Sequence, residues 1–247
     1  MNILGIFSSK GGVGKSTVSV NLAVSLSRFG RNVSLIDFKG GSPHLSHFFG
    51  NESIPGLSEL SSGDLSGDEV IYAYDPTLKV IPGGLNKINE INLNTFDPFI
   101  KQIKNSSEIV IFDMPSYHTS IYDQVIDYVD YGILVSNLNR TSLNNSLEMI
   151  NNIKNDVSFL GTFINNNTKK KFKRESIDSD YNLLLYIPYS SKFEKSYDDG
   201  VPFIEKYYDH DISYDFKEFS AQLIGENYEM SRNISFKRLF ERFISKI

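Results

Sequence analysis

The sequence contains no cysteine among its 247 residues, which excludes structural disulfides, thiolate-ligated zinc and iron–sulfur clusters. No apolar run approaches the ~18 residues needed to cross a bilayer. The first residues lack the basic segment and cleavage site of a signal peptide. The formal net charge of −5 argues against a protein that coats nucleic acid with its whole surface. We therefore expect a soluble, cytoplasmic protein that at most lies on a membrane.

Short apolar runs of strand length alternate with segments of helical spacing along the chain. Nearly continuous apolar runs are typical of strands buried on both faces of a parallel sheet. Their alternation with helices, without an internal linker or repeat, predicts one doubly wound α/β domain. Residues 51–76 are rich in Ser, Gly and Asp and are expected to form a surface excursion with one short helix near Leu57–Leu60. The strand-like runs are 3–7, 33–36, 78–81, 109–112, 133–135, 159–164 and 183–187.

A glycine-rich segment, KGGVGKST at residues 10–17, follows the first run and opens a helix near Lys15. Glycines at positions 11, 12 and 14 let backbone N–H groups turn inward around phosphate oxygens. The helix N-terminus adds its positive dipole end. Lys15 is placed to reach the β- and γ-phosphates of a nucleotide, and the Ser16 hydroxyl to ligate Mg²⁺. The segment therefore predicts a P-loop that binds ATP with Mg²⁺.

An acidic residue at the end of a neighbouring strand is needed to hold the Mg²⁺ ion of a P-loop. Asp113 follows four apolar residues, and Met114-Pro115 ends the run. Although a single aspartate after a strand is more often a turn or a helix cap, the P-loop favours a metal-binding role for Asp113.

The second lysine of the loop, Lys10, makes KGGVGKST resemble the deviant Walker A box of the MinD and ParA family. Further segments resemble that family in the same order along the chain. Residues 33–37 resemble its switch I strand, 56–60 its short helix and 78–83 its "viPgg" strand. Residues 113–115 resemble its Walker B, 163–165 its adenine-reading strand, and 187–188 with 200–202 the stretch that closes over the base. The resemblance spans residues 2–225 and implies a SIMIBI-type P-loop NTPase with a mostly parallel, seven- or eight-stranded sheet flanked by helices.

The family resemblance also implies function and site residues. It implies ATP-driven formation of a sandwich homodimer, in which Lys10 reaches the partner's phosphates. The nucleotide-binding residues it implies are Lys10, Gly11, Gly12, Val13, Gly14, Lys15, Ser16, Thr17, Asn165 and Pro188, with Asn165 on the adenine. The metal-site residues are Ser16, Asp37 and Asp113, and the residues assigned to catalysis are Lys10, Lys15, Asp37 and Lys39.

One position departs from the family pattern. The switch I of the family reads Asp-x-Asp, and its second aspartate is tied to positioning the attacking water. Here the corresponding residues are Asp37-Phe38-Lys39. Because a lysine cannot accept a proton from water at neutral pH, the sequence predicts slow ATP hydrolysis.

The C-terminal segment, residues 231–247, is predicted to form a basic amphipathic helix after a domain of residues 1–230. The apolar residues of 234–247 fall at helical spacing, and residues 231–247 contain five basic residues but only one acidic residue. Such a helix is typical of a membrane interface, and similar tails end MinD-like proteins. A last helix packed on the domain is the alternative, although Phe216, Phe219, Leu223 and Ile224 already predict one docked helix before it.

The function predicted from these features is a dimerising ATP switch that positions or recruits a partner protein on the inner face of the cell membrane. The basic run 169–174 leaves open a ParA-like protein that binds DNA on the nucleoid. Lys39 leaves open a scaffold that holds nucleotide without turnover. A synthetase of the same fold would need a second substrate pocket, for which the sequence offers no constellation of residues.

Overall fold

The computed structural model describes residues 2–41, 44–51, 54–115, 117, 119–153, 157–166, 168 and 182–228. The predicted tail 231–247 and the basic run 169–174 lie outside these ranges. Within them, no helix is both long and apolar enough to cross a membrane. The strands are β1 Asn2–Phe7, β2 Val33–Asp37, β3 Tyr72–Asp75, β4 Leu78–Ile81, β5 Ile109–Asp113, β6 Tyr131–Asn137, β7 Ser158–Asn165 and β8 Leu183–Ile187.

Helices alternate with most of these strands, as the sequence predicts, whereas β3 and β4 follow each other directly. A 3-10 turn, Ile126–Tyr128, follows the fifth helix. The helices are α1 Lys15–Arg28, α2 His44–His47, α3 Leu57–Ser62, α4 Leu93–Ser106, α5 Ser120–Val125, α6 Arg140–Asn152, α7 Lys192–Asp198, α8 Phe203–Lys206 and α9 Asp211–Leu223.

The eight strands form one sheet in the order β3-β4-β2-β5-β1-β6-β7-β8. All neighbouring pairs are parallel except β3 with β4, which is antiparallel. The predicted α/β fold, the mostly parallel sheet and all seven predicted strands are confirmed. The one strand that was not predicted, β3, lies within residues 51–76, which we expected to form a surface excursion with one short helix. That expectation was wrong for residues 72–75.

The sheet is covered on both faces because its strands alternate their side chains between two apolar clusters. In β1, Leu4 and Ile6 pack on the side of α1 and α9, whereas Ile3 and Phe7 pack on the side of α4 and α5. The predicted docked helix is α9, where Phe216 is fully buried. Neighbouring strands β1 and β5 therefore lead to helices on opposite faces, which opens a crevice at their carboxyl ends.

Candidate nucleotide-binding site

The P-loop begins where β1 ends and closes at the first turn of α1. Gly12 and Gly14 have φ angles of 76° and 90°, a left-handed region that glycine adopts at little cost. Gly14 precedes the helix and offers no side-chain cap, and the first turn of α1 contains no acidic residue. The N–H groups of that turn are therefore suited to bind an anion.

Asn165, at the end of β7, is hydrogen-bonded to the P-loop. Its Nδ2 donates a hydrogen bond of 2.8 Å to the carbonyl oxygen of Val13. A Cβ added to Gly14 would lie 2.2 Å from the same Nδ2 atom, so only glycine leaves room for this contact. The adenine-reading role of Asn165 stays a prediction, as does the role of Pro188, which directly follows β8.

The carboxylate of Asp113 lies at the centre of the site and accepts three side-chain hydrogen bonds. Lys15 Nζ lies 2.6 Å from Oδ1, and Ser16 Oγ lies 2.5 Å from Oδ2. The third donor is the hydroxyl of Ser19, 2.9 Å from Oδ1. Sequence reasoning missed Ser19. The i,i+4 spacing from Lys15 could have indicated it, because this spacing places both residues on one face of α1.

Asp37 lies beside Asp113, since the two residues are register partners at the ends of the neighbouring strands β2 and β5. Both are 2% exposed. Burial and the charge of Asp113 raise the pKa of Asp37 above its ordinary value, despite a hydrogen bond of 2.9 Å from the backbone N–H of Lys39. Two buried carboxylates side by side disfavour a double negative charge.

This arrangement fits a Mg²⁺ ion. The described residues contain no group of three or more His, Asp or Glu side chains that could hold a metal alone. Mg²⁺, however, is commonly bound by one or two carboxylates together with substrate phosphates and water. Asp37, Asp113 and the Ser16 hydroxyl supply such a partial set beside the P-loop, and a cation there would relieve the repulsion between the two acids.

The two remaining lysines of the predicted site are exposed, Lys10 at the entrance of the P-loop and Lys39 just after β2. Phe38, between the two switch residues, points into the core instead and is 1% exposed, with its ring centroid 4.8 Å from that of Phe112. The fold thus brings the carboxyl ends of β1, β2, β5 and β7 together, and with them Lys15, Ser16, Asp37, Asp113 and Asn165.

Comparisons with known proteins show the family and the fold of this chain. The model of the CobQ/CobB/MinD/ParA nucleotide-binding domain matches residues 4–203. An uncharacterized ATP-binding protein of Methanocaldococcus jannaschii is 28% identical over 251 residues, which cover 98% of this chain and 94% of that protein.

Two solved structures show the same fold. The septum site-determining protein MinD of Pyrococcus horikoshii, complexed with Mg-ADP, has a TM-score of 0.76 and 22% identity, covering 90% of this chain and 95% of that one. The MinC:MinD cell division protein complex of Aquifex aeolicus has a TM-score of 0.75 and 20% identity, covering 94% of this chain and 99% of that one. Because that family model matches residues 4–203, most of the chain, this protein belongs to the CobQ/CobB/MinD/ParA family of nucleotide-binding domains.

Proposed function

We propose that this protein is an ATP-dependent dimerising switch that recruits a partner protein to the inner face of the cell membrane. The observation that carries the proposal is the different placement of the two P-loop lysines. Lys15 is held against Asp113 inside the site, whereas Lys10 is exposed at its entrance. An exposed cation at the entrance is suited to reach phosphates held by a second copy of the chain.

The residues of one chain would divide the work of binding nucleotide. The N–H groups around Gly12 and Gly14 cradle phosphate oxygens, and Lys15 neutralises their charge. Asp37, Asp113 and Ser16 would hold Mg²⁺, which when bound screens the phosphates and orients them. Lys10 of a second chain adds a cation where only a nucleoside triphosphate carries additional charge, so dimerisation depends on ATP rather than ADP.

Hydrolysis by this switch is expected to be slow. Lys39 occupies the position where the family pattern has its water-positioning aspartate. The backbone of Lys39 is fixed by its hydrogen bond to Asp37, so the lysine side chain starts close to the metal-site carboxylates. A positioned base typically contributes ~10²–10⁴-fold to a rate, and Asp37 is already committed to the metal site.

The membrane part of the proposal rests on the sequence of residues 234–247 alone. Its apolar stripe and four basic residues suit an anionic lipid surface. A protein partner is supported by the structural likeness to MinD, which has been solved in complex with MinC. Sedimentation with anionic liposomes or with DNA separates this proposal from a ParA-like protein on the nucleoid.

A second candidate, favoured by Lys39, is a scaffold that binds ATP and dimerises without turnover. It differs from the switch only in hydrolysis. Phosphate release under single-turnover conditions therefore distinguishes the two.

The dimer is tested by Lys10→Ala, with molar mass measured by light scattering in Mg·ATP and in Mg·ADP. Wild type is expected to dimerise with ATP only, and the variant to bind ATP as a monomer. Lys101→Ala, an exposed lysine on α4 away from the site, is the matched control and should dimerise like wild type. A Lys10→Ala protein that dimerises as well as wild type would overturn the proposal.

A further inference from the structure

The start of α3 is bonded to the loop that follows β4. The backbone N–H of Leu57 donates to the carbonyl oxygen of Pro82 at 2.9 Å, and that of Ser58 to Gly83 at 3.1 Å. In return, the N–H of Asn86 donates to Ser58 Oγ at 3.1 Å. We call residues 82–86 the β4 loop. It is bonded to α3 along most of its length.

A buried carboxylate, that of Glu59, completes this contact. Glu59 is 7% exposed, although its sequence position on a six-residue helix gives no hint of burial. Its oxygens accept hydrogen bonds from the N–H of Gly56 at 2.8 Å, the Ser58 hydroxyl at 2.6 Å, the N–H of Leu85 at 3.1 Å and Asn86 Nδ2 at 3.2 Å. One side chain thus connects α3 to both residues at the end of the β4 loop.

The hydrogen bonds keep this buried group ionised. Burial by itself would raise the pKa of Glu59, but the bonds from Ser58, Gly56 and Leu85 outweigh it and hold the pKa below its ordinary value. A carboxylate satisfied by several donors is more stabilising than a neutral acceptor in the same place.

The other side of the β4 loop packs against the switch segment, residues 37–41. The N–H of Gly41 donates to the carbonyl oxygen of Gly84 at 3.2 Å. A Cβ on Gly40 would lie 2.1 Å from the carbonyl oxygen of Asn86, and a Cβ on Gly83 would lie 2.3 Å from that of Lys39. The backbones of the β4 loop and the switch segment are in direct contact, so a movement of the β4 loop would displace the switch segment.

The switch segment in turn orients a metal-site carboxylate. The N–H of Lys39 donates to Oδ1 of Asp37 at 2.9 Å. A continuous series of contacts therefore leads from Glu59 through the β4 loop to Lys39 and on to Asp37.

We propose that Glu59 is a positioning residue for the nucleotide site: through the β4 loop it fixes the backbone of the switch segment and, with it, the orientation of Asp37. The proposal rests on the proposed function in so far as Asp37 serves the Mg²⁺ of a bound nucleotide. Glu59 itself touches neither nucleotide nor metal.

The test uses Glu59→Gln in the full-length protein. The amide keeps the size of the side chain but directs an NH₂ group at N–H donors, leaving at least one of them without an acceptor. Glu69→Gln is the matched control. Glu69 also accepts bonds from a backbone N–H and a hydroxyl, but it is exposed and both bonds come from Ser66 rather than from the β4 loop or the switch segment.

Two measurements follow. Hydrogen exchange of residues 37–41 and 82–86 should be faster by about tenfold in Glu59→Gln, the factor that corresponds to one lost buried hydrogen bond. ADP affinity by calorimetry should fall by a similar factor with Mg²⁺, yet stay within about twofold of wild type in EDTA, because the P-loop is untouched. A merely structural role would weaken both affinities alike. Glu69→Gln should match wild type in both measurements.

The outcomes are distinguishable. If exchange in the two segments is unchanged, or if ADP affinity falls equally with and without Mg²⁺, Glu59 does not position the site. If wild type binds no ADP, the proposed function fails, while the exchange experiment still decides whether Glu59 holds the switch segment. Should Glu59→Gln fail to fold, Ser58→Ala removes one donor to Glu59 and the acceptor of the Asn86 N–H. It should speed exchange in the same two segments, and unchanged exchange there would overturn the proposal.

Discussion

The ammonium group of Lys15 lies 2.6 Å from Oδ1 of Asp113, whose side chain is 1% exposed. The two residues come from elements far apart in sequence, the first turn of α1 and the end of β5. Their contact holds the lysine inside the site and the aspartate beside Ser16. The residues proposed to bind phosphate and those proposed to bind Mg²⁺ are thereby one hydrogen-bonded unit.

Lys15→Ala should weaken ATP binding by at least about tenfold, since hydrogen bonds to charged groups contribute roughly 1.5–3 kcal/mol. Isothermal titration calorimetry with Mg·ATP measures the effect. Lys101→Ala provides the control for loss of a surface charge. Unchanged ATP affinity in Lys15→Ala would contradict the assignment of residues 10–17 as the phosphate loop.

Much of this site could be predicted from sequence, for a physical reason. Glycine, lysine and serine at fixed spacing are local requirements of a phosphate loop, and Asp113 ends a strand whose apolar run is evident. Glu59 could not be predicted, because its role depends on which loop packs against α3. Strand β3 was missed for a related reason: its residues Tyr72–Asp75 form an edge strand by pairing with β4 rather than by an apolar pattern of their own.

Stability should depend on Asp75, which connects the β3–β4 turn to α1. Its carboxylate accepts bonds from the N–H of Thr77 at 2.7 Å and from Ser27 Oγ at 2.9 Å, and Arg28 lies 4.0 Å away. Burial would raise the pKa of Asp75, but the bonds from Thr77 and Ser27 outweigh it and lower the pKa. Asp75→Asn should therefore reduce the free energy of unfolding near neutral pH.

The pH dependence has a definite sign. A group whose folded pKa is depressed contributes stability above its unfolded pKa, about 4 for aspartate, and loses that contribution as pH falls through the folded value. The difference between wild type and Asp75→Asn in urea denaturation should be constant at pH 6–7 and shrink below about pH 4. A difference that grows as the pH falls would contradict this reading of Asp75.

Removal of residues 234–247 should release the protein from anionic liposomes without changing its unfolding midpoint. Each basic residue near an anionic surface contributes roughly 1 kcal/mol, and two tails on one dimer strengthen attachment by avidity, so binding of wild type should favour ATP over ADP. Neutral liposomes serve as the control surface. A large drop in melting temperature, with no liposome binding by wild type, would instead assign the tail to the folded domain.

The last prediction concerns Lys39, which stands two residues after Asp37 and is exposed. If its side chain merely replaces a water-positioning carboxylate, Lys39→Asp should restore that group and raise the rate of phosphate release. A positioned base is worth ~10²–10⁴-fold, so even a partly aligned aspartate should be measurable. The ATP dimer should also become shorter-lived. Lys39→Ala is the control, because it removes the cation without adding a carboxylate.

Lys39 also has a competing role, since a cation near the γ-phosphate can stabilise charge that develops in the transition state. The two roles predict opposite signs in single-turnover phosphate release. A rate order of Asp above Ala and wild type assigns the slow turnover to a missing carboxylate. If both variants are slower than wild type, Lys39 is itself catalytic, and the view of this protein as a scaffold that binds ATP without turnover is wrong as well.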